Sequence, residues 1–435
     1  MKKLYRFLSV LMMAVMLTST VSATAMAEEA ASEDTIKIGV IAYLSAAARA
    51  AFTGYIEAGW DAAVDKINEE GGIDGKKVEL ILFDPEGDAA LVPQRCTDAK
   101  EQGCKAIVFC CGDDLAPTAN IWAEENKFPV LYVGNTSTEM TIKNFSKYSF
   151  FVGKSAWSFA RILAKVAVGE EGKKNFVFCG TDGAGTIDAE NLLIREGQMI
   201  NPDFEMLASY RVAEANSEFS NIIQSIATEA PDMILQQGSG SIYNSFVQQG
   251  EMFGLFNTTD VYNDFVVDSG SNDALVDAGG FPYGKIRGIF LLPYWDEEAL
   301  DDEMKEFCDR YMSNPIAVEQ NHSAPNDWGL QGYRAVRIAA MGIQACAEAG
   351  LDYSDSTVLA EELGKVSWTD CTGEHYFREL DNQLTYDMYY GITAEDENWR
   401  SPIATGVEKF TADEHLPSKE DYEAYAEVLG VPSRF

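Results

Sequence analysis

Carboxylates are the abundant reactive groups of this chain and histidines the scarce ones: 69 Asp and Glu stand against three His. With only His322, His375 and His415 present, histidine-based metal chemistry has little to draw on. The serine of Gln237, Gly238, Ser239, Gly240, Ser241 sits among glycines, but not in the GxSxG order of a nucleophile elbow. A hydrolase triad around Ser239 would have to recruit one of the three histidines from a distance in sequence. The loop Thr181, Asp182, Gly183, Ala184, Gly185, Thr186 resembles a phosphate cradle, yet it lacks the Gly-Lys-Ser/Thr ending that would hold a nucleotide. Gly112, Asp113 and Asp114 offer backbone N–H groups and carboxylates to a ligand; equally, they turn the chain and cap the helix expected from Pro117. Asp182 and Asp264 are further carboxylates able to hold an ammonium group. Arg49 is an anion clamp or a solvated surface charge, and Trp157 stacks on a ligand or packs within its own lobe. Eight cysteines, the first at Cys96, include no CxxC pair, so a four-thiolate zinc site is not expected and most read as small buried hydrophobes. No catalytic residue, metal or cofactor is expected.

These residues fall in the gaps of a regular pattern. Ile36 to Ile41 reads as a buried strand, and Ile56, Trp60, Ala63, Val64 and Ile67 recur at helical spacing before Gly71 and Gly72 stop the helix. Strands over 78–83, 106–110 and 129–133 alternate with helices over 89–102 and 117–126. A second series alternates helices over 157–168, 187–196, 219–229 and 242–253 with strands over 175–179, 206–210, 233–235 and 261–266. A long helix over 327–349 and a strand region over 376–390 follow. The pattern predicts an α/β protein with two Rossmann-like lobes, each a parallel sheet flanked by helices. In such sheets ligands sit beyond the carboxyl ends of the strands, where the loops named above lie.

Composition narrows the partners. At 435 residues and a formal charge of −36, the surface repels phosphate backbones and anionic headgroups, so no nucleic acid is expected. Lys2, Lys3 and Arg6, the apolar run from Phe7 to Leu17 and the small residues ending in Ala25, Met26, Ala27 predict a signal peptide over 1–27. No cysteine stands near the cut to carry a lipid, so the product is expected in the periplasm or outside the cell, without membrane insertion. Amino-terminal sequencing of the exported protein should start near Glu28; recovery of residues 1–20 on a membrane-bound form would overturn this.

Ile36 to Val40, the segment from Ala62 to Leu80 carrying Asn68, Gly71, Gly72, Gly75 and Lys76, and Pro231 with Asp232 before a strand resemble the branched-chain amino acid binding proteins of ABC importers. The resemblance runs through nearly all of the mature chain and weakens after about Ala394. It implies a type I periplasmic binding protein, with a ligand clamped between lobes joined by three crossings near Gly153, Leu291 and Gly373. Lobe 1 would then span 35–153 and 292–372, and lobe 2 would span 154–291 and 373–435. The implied function is capture of a small organic ligand, amino acid-like or a related acid, amide or amine, for an ABC permease, by a monomer; the alternatives are a two-lobe ligand-sensing receptor or a secreted hydrolase. By the same resemblance, Gly112 and the pair Asn135 and Thr136 hold a ligand carboxylate. Ser155 occupies the position of an ammonium-holding acid, and Ala50, beside Arg49, that of an aromatic wall. Both departures imply weak binding of leucine, isoleucine and valine.

Overall fold

The computed structural model describes residues 35–45, 52–134, 137–213, 216–264, 266–432 and 434. Its first half is a repeated strand and helix: β1 (Ile36–Ala42), α1 (Gly54–Glu69), β2 (Val78–Phe83), α2 (Val92–Glu101), β3 (Ile107–Cys110), α3 (Ala116–Asn126), β4 (Val130–Tyr132), α4 (Glu139–Ile142) and β5 (Ser149–Phe151). These strands form one parallel sheet in the order β2-β1-β3-β4-β5. β1 is covered on both faces, which is why it reads as an unbroken apolar run and not as an alternation. The Asn68 to Lys76 motif has a local explanation. Asn68 accepts the N–H of Val78 at 2.7 Å and donates to its carbonyl at 3.0 Å, so the end of α1 sets where β2 begins. Gly71 and Gly72, at φ of 106° and 75°, turn the chain between them.

The second lobe follows: α5 (Ala156–Leu163), β6 (Asn175–Thr181), α6 (Ala184–Ile200), β7 (Glu205–Val212), α7 (Ser220–Glu229), β8 (Met233–Gln237), α8 (Gly240–Met252), β9 (Asp260–Asn263), α9 (Ser269–Asp277) and β10 (Ile286–Phe290). The helix expected over 157–168 is divided, since α5 gives way to a π-helix over 164–170. The chain then returns to the first sheet with α10 (Asp302–Ser313), α11 (Pro315–Glu319), α12 (Asp327–Glu348) and α13 (Ser356–Leu363), α12 lying across α1 and against β3 and β4. A small hairpin, β11 (Ser367–Asp370) with β12 (Gly373–Tyr376), precedes β13 (Met388–Asp396), β14 (Trp399–Phe410), α14 (Ala412–His415) and α15 (Lys419–Leu429).

The second sheet runs β14-β13-β10-β9-β8-β6-β7 and is parallel except at one edge, where β13 and β14 pair antiparallel. The strand region expected over 376–390 resolves into the end of β12, a connection carrying the isolated bridges Phe377 to Leu384 and Phe151 to Gln383, and the start of β13. Among the described residues no disulfide is closed and no helix is long and apolar enough to cross a membrane.

Candidate functional site

Loops at the carboxyl ends of both sheets converge between the lobes. On the first lobe, Tyr43 after β1 accepts the N–H of Gly112 after β3 at 3.3 Å, and Asp84 after β2 accepts the N–H of Leu44 at 3.2 Å. Asp113 accepts the N–H of Ser137, after β4, at 3.2 Å. Gly112 and Asp113 therefore lie in one cluster with the β4 loop. Phe52 and Trp328 stand beside it as an edge-to-face pair with centroids 5.0 Å apart, both packed near Gly134, whose N–H donates to Gln331 on α12. Arg49, Ala50, Asn135 and Thr136 lie outside the described residues.

On the second lobe Gln237 donates to Asp264 at 3.3 Å, joining the β8 and β9 loops. Burial holds the Asp264 carboxyl above the usual range, opposed by the Lys154 charge. Burial pushes Asp268 up to about 6, against hydrogen bonds from Ser271, the Gly270 N–H and Asn326. Lys154 joins the lobes: its Nζ donates to the Asp264 carbonyl at 2.8 Å and to Asp327 Oδ2 at 2.9 Å. Asp327 Oδ1 in turn accepts the N–H of Leu291. Between Lys154, Asp264, Asp268, Tyr294, Asn326 and Trp328 remains a cavity of about 10 Å³, room for one water and no organic molecule. The lobes are therefore packed together here.

Three expected contacts are placed elsewhere. Trp157 is 0% exposed and meets the edges of Tyr422 and Tyr425 at 5.9 and 5.5 Å, with the guanidinium groups of Arg161 and Arg195 over its ring. It is a core residue of the second lobe, because α15 returns to cover α5. Ser155 caps α5, its hydroxyl accepting the Trp157 N–H at 3.2 Å while its own N–H donates to Tyr386. Its side chain is committed to the helix end. Asp182 is exposed and faces Arg211 of its own lobe at 3.7 Å. Ser239 is exposed at the start of α8.

The histidines also find structural partners. His322 stacks on Tyr55 at 3.9 Å, and His375 sits 3.0 Å from Asp370 and donates from Nδ1 to the Thr385 carbonyl at 2.7 Å. His415 lies 2.9 Å from Ser158, not near Ser239, and both members of that pair are 0% exposed. Burial pushes His322 and His415 down to about 4, so both are neutral at pH 7. No substrate can reach the Ser158 and His415 pair in this fold. Among the described residues no group of His, Cys, Asp or Glu has the arrangement of a metal site.

A family model described as periplasmic binding protein matches residues 35–394. The chain belongs to the periplasmic binding protein family. Solved structures agree with this periplasmic binding protein in fold. A solute-binding protein of an ABC transporter from Rhodopseudomonas palustris BisB5, in complex with 3,4-dihydroxybenzoic acid, is 17% identical over 87% of this chain and 98% of its own, with a TM-score of 0.73. The leucine-, isoleucine-, valine-, threonine- and alanine-binding protein from Brucella ovis, in its closed conformation, is 16% identical over 89% and 97%, with a TM-score of 0.73. A periplasmic binding protein from Burkholderia mallei is 19% identical over 89% and 98%, with a TM-score of 0.74. No curated relative matches the chain.

Sequence reasoning missed Lys154 and Trp328, which line the small cavity between the lobes. Lys154 had a usable signal, since it directly precedes Ser155 at the expected crossing. Trp328 had none, because an aromatic in the first turn of a long helix is ordinary core patterning.

Proposed function

We propose that this chain is the extracytoplasmic solute-binding component of an ABC importer, capturing a small organic molecule by hinge closure and presenting the closed form to a permease. The observation that carries this reading is the convergence of the strand-end loops of two lobes on one cleft, with polar groups from both sides. The family of the chain and the ABC transporter proteins that share its fold support it. A hinge near Gly153, Leu291 and Gly373 fits the cross-braces there. Gln383 donates to the carbonyls of Phe151 and Gly153, and Asp327 holds Leu291.

In this reading Gly112 and Asp113, with Arg49, Asn135 and Thr136, contact the ligand from the first lobe. Ser239 and Asp264 close over it from the second. Phe52 and Trp328 receive its apolar body. No covalent step is involved; contacts from both lobes favour the closed state, and a ligand touching one lobe alone would shift nothing.

A thermal-shift panel of leucine, isoleucine, valine, aromatic acids, amides and amines identifies the ligand, because occupancy at 100 times Kd adds about 2.7 kcal/mol. The hit should shrink the radius of gyration in X-ray scattering and be recovered unchanged. Conversion to product with an unchanged radius would replace this reading by an enzymatic one. Submicromolar leucine binding would show that the departures at Ser155 and Ala50 do not weaken recognition of an α-amino acid.

A further inference from the structure

Asp188 belongs to α6 of the second lobe, yet most of its hydrogen bonding is with the first. Its Oδ2 accepts the Thr138 N–H at 2.7 Å, the Thr138 hydroxyl at 2.9 Å and the Ser137 hydroxyl at 3.2 Å. Its Oδ1 accepts the Tyr425 hydroxyl of α15 at 2.9 Å. Ser137, Thr138 and Asp188 are 8%, 3% and 6% exposed, so these bonds are shielded from water. Three donors converging on one oxygen form a corner built for a carboxylate, and the hydrogen bonds are charge-assisted. The donors stand on the β4 loop of the first lobe, the loop whose Ser137 N–H also binds Asp113.

We propose that Asp188 is a built-in occupant of this anion-holding corner: it latches the two lobes together and excludes free carboxylates from the donors of Ser137 and Thr138. It is thus a specificity-determining residue. A ligand with a carboxylate must place it elsewhere, and a neutral or cationic ligand has no competitor to displace. The alternative, an ordinary buried carboxylate within one lobe, is at odds with its partners, since three of its four donors lie across the cleft.

The test is chemical rescue in the mature chain, with no transported solute present, so the outcome does not depend on what the cleft captures. Asp188→Ala should enlarge the ligand-free radius of gyration and lower Tm. Sodium acetate should restore both, with an acetate affinity about tenfold or more above that of the unaltered protein, while sodium chloride at equal ionic strength should not. Asp188→Asn, which keeps the volume and fills the corner, should enlarge the radius without responding to acetate. Adding Thr138→Val to Asp188→Ala should weaken the acetate response by removing one donor. An unchanged radius in both single variants, or an acetate effect equal in variant and unaltered protein, would overturn the latch.

Discussion

Replacing Lys154 by Met should destabilise the protein by about 3–5 kcal/mol, the cost of removing one partner from a buried ion pair. Lys154 is 4% exposed and its partner Asp327 has only 11% of its side chain accessible. Burial alone would lower the ammonium pKa; the charges of Asp327 and Asp264 outweigh it and hold the group above the usual lysine value. Without the ammonium, the Asp327 carboxylate keeps the Leu291 N–H but loses its counter-charge, and the Asp264 carbonyl loses its donor. The urea midpoint should fall with an unchanged slope. The double variant Lys154→Met, Asp327→Leu should recover much of the loss, because it removes the stranded charge as well. A single-variant effect under 1 kcal/mol would show that water reaches this pair and that the hinge does not depend on it.

Gly59→Ala should cost about 3 kcal/mol, at the upper end of overpacking. Helix propensity alone would favour the substitution by about 1 kcal/mol, so even the sign of the measurement discriminates. The opposing term is geometric. A Cβ at Gly59 would lie 1.9 Å from the Gly329 carbonyl oxygen and 2.9 Å from its Cα, atoms of the α12 backbone that cannot rotate aside. Helices α1 and α12 must therefore separate. Since α12 carries Asp327, Trp328 and Gln331, ligand affinity should fall together with the urea midpoint. A neutral or stabilising result would mean that the two helices do not approach as closely as the structure shows.

Both effects arise where elements distant in the chain meet, and this divides what could be read in the sequence from what could not. The alternation of strands and helices, the stop at Gly71 and Gly72, and the strand-end loops that line the cleft are all local features. Periodicity and turn chemistry act over a few residues, so the sequence alone specified two α/β lobes and the loops worth watching. Asn68 belongs to the same class, since its partner Val78 is ten residues away. Whether a side chain in a watched loop faced the cleft was decided elsewhere. Trp157 is buried because α15 folds back over it from more than 260 positions further on, and Ser155 is committed to capping because α5 begins directly after it at Ala156. Asp188 joins residues 50 positions before it to one 237 positions after it. Such contacts depend on how the sheets are ordered and how the lobes close on each other. No local pattern encodes that, because the energy that selects it comes from burying faces brought together only in the folded chain.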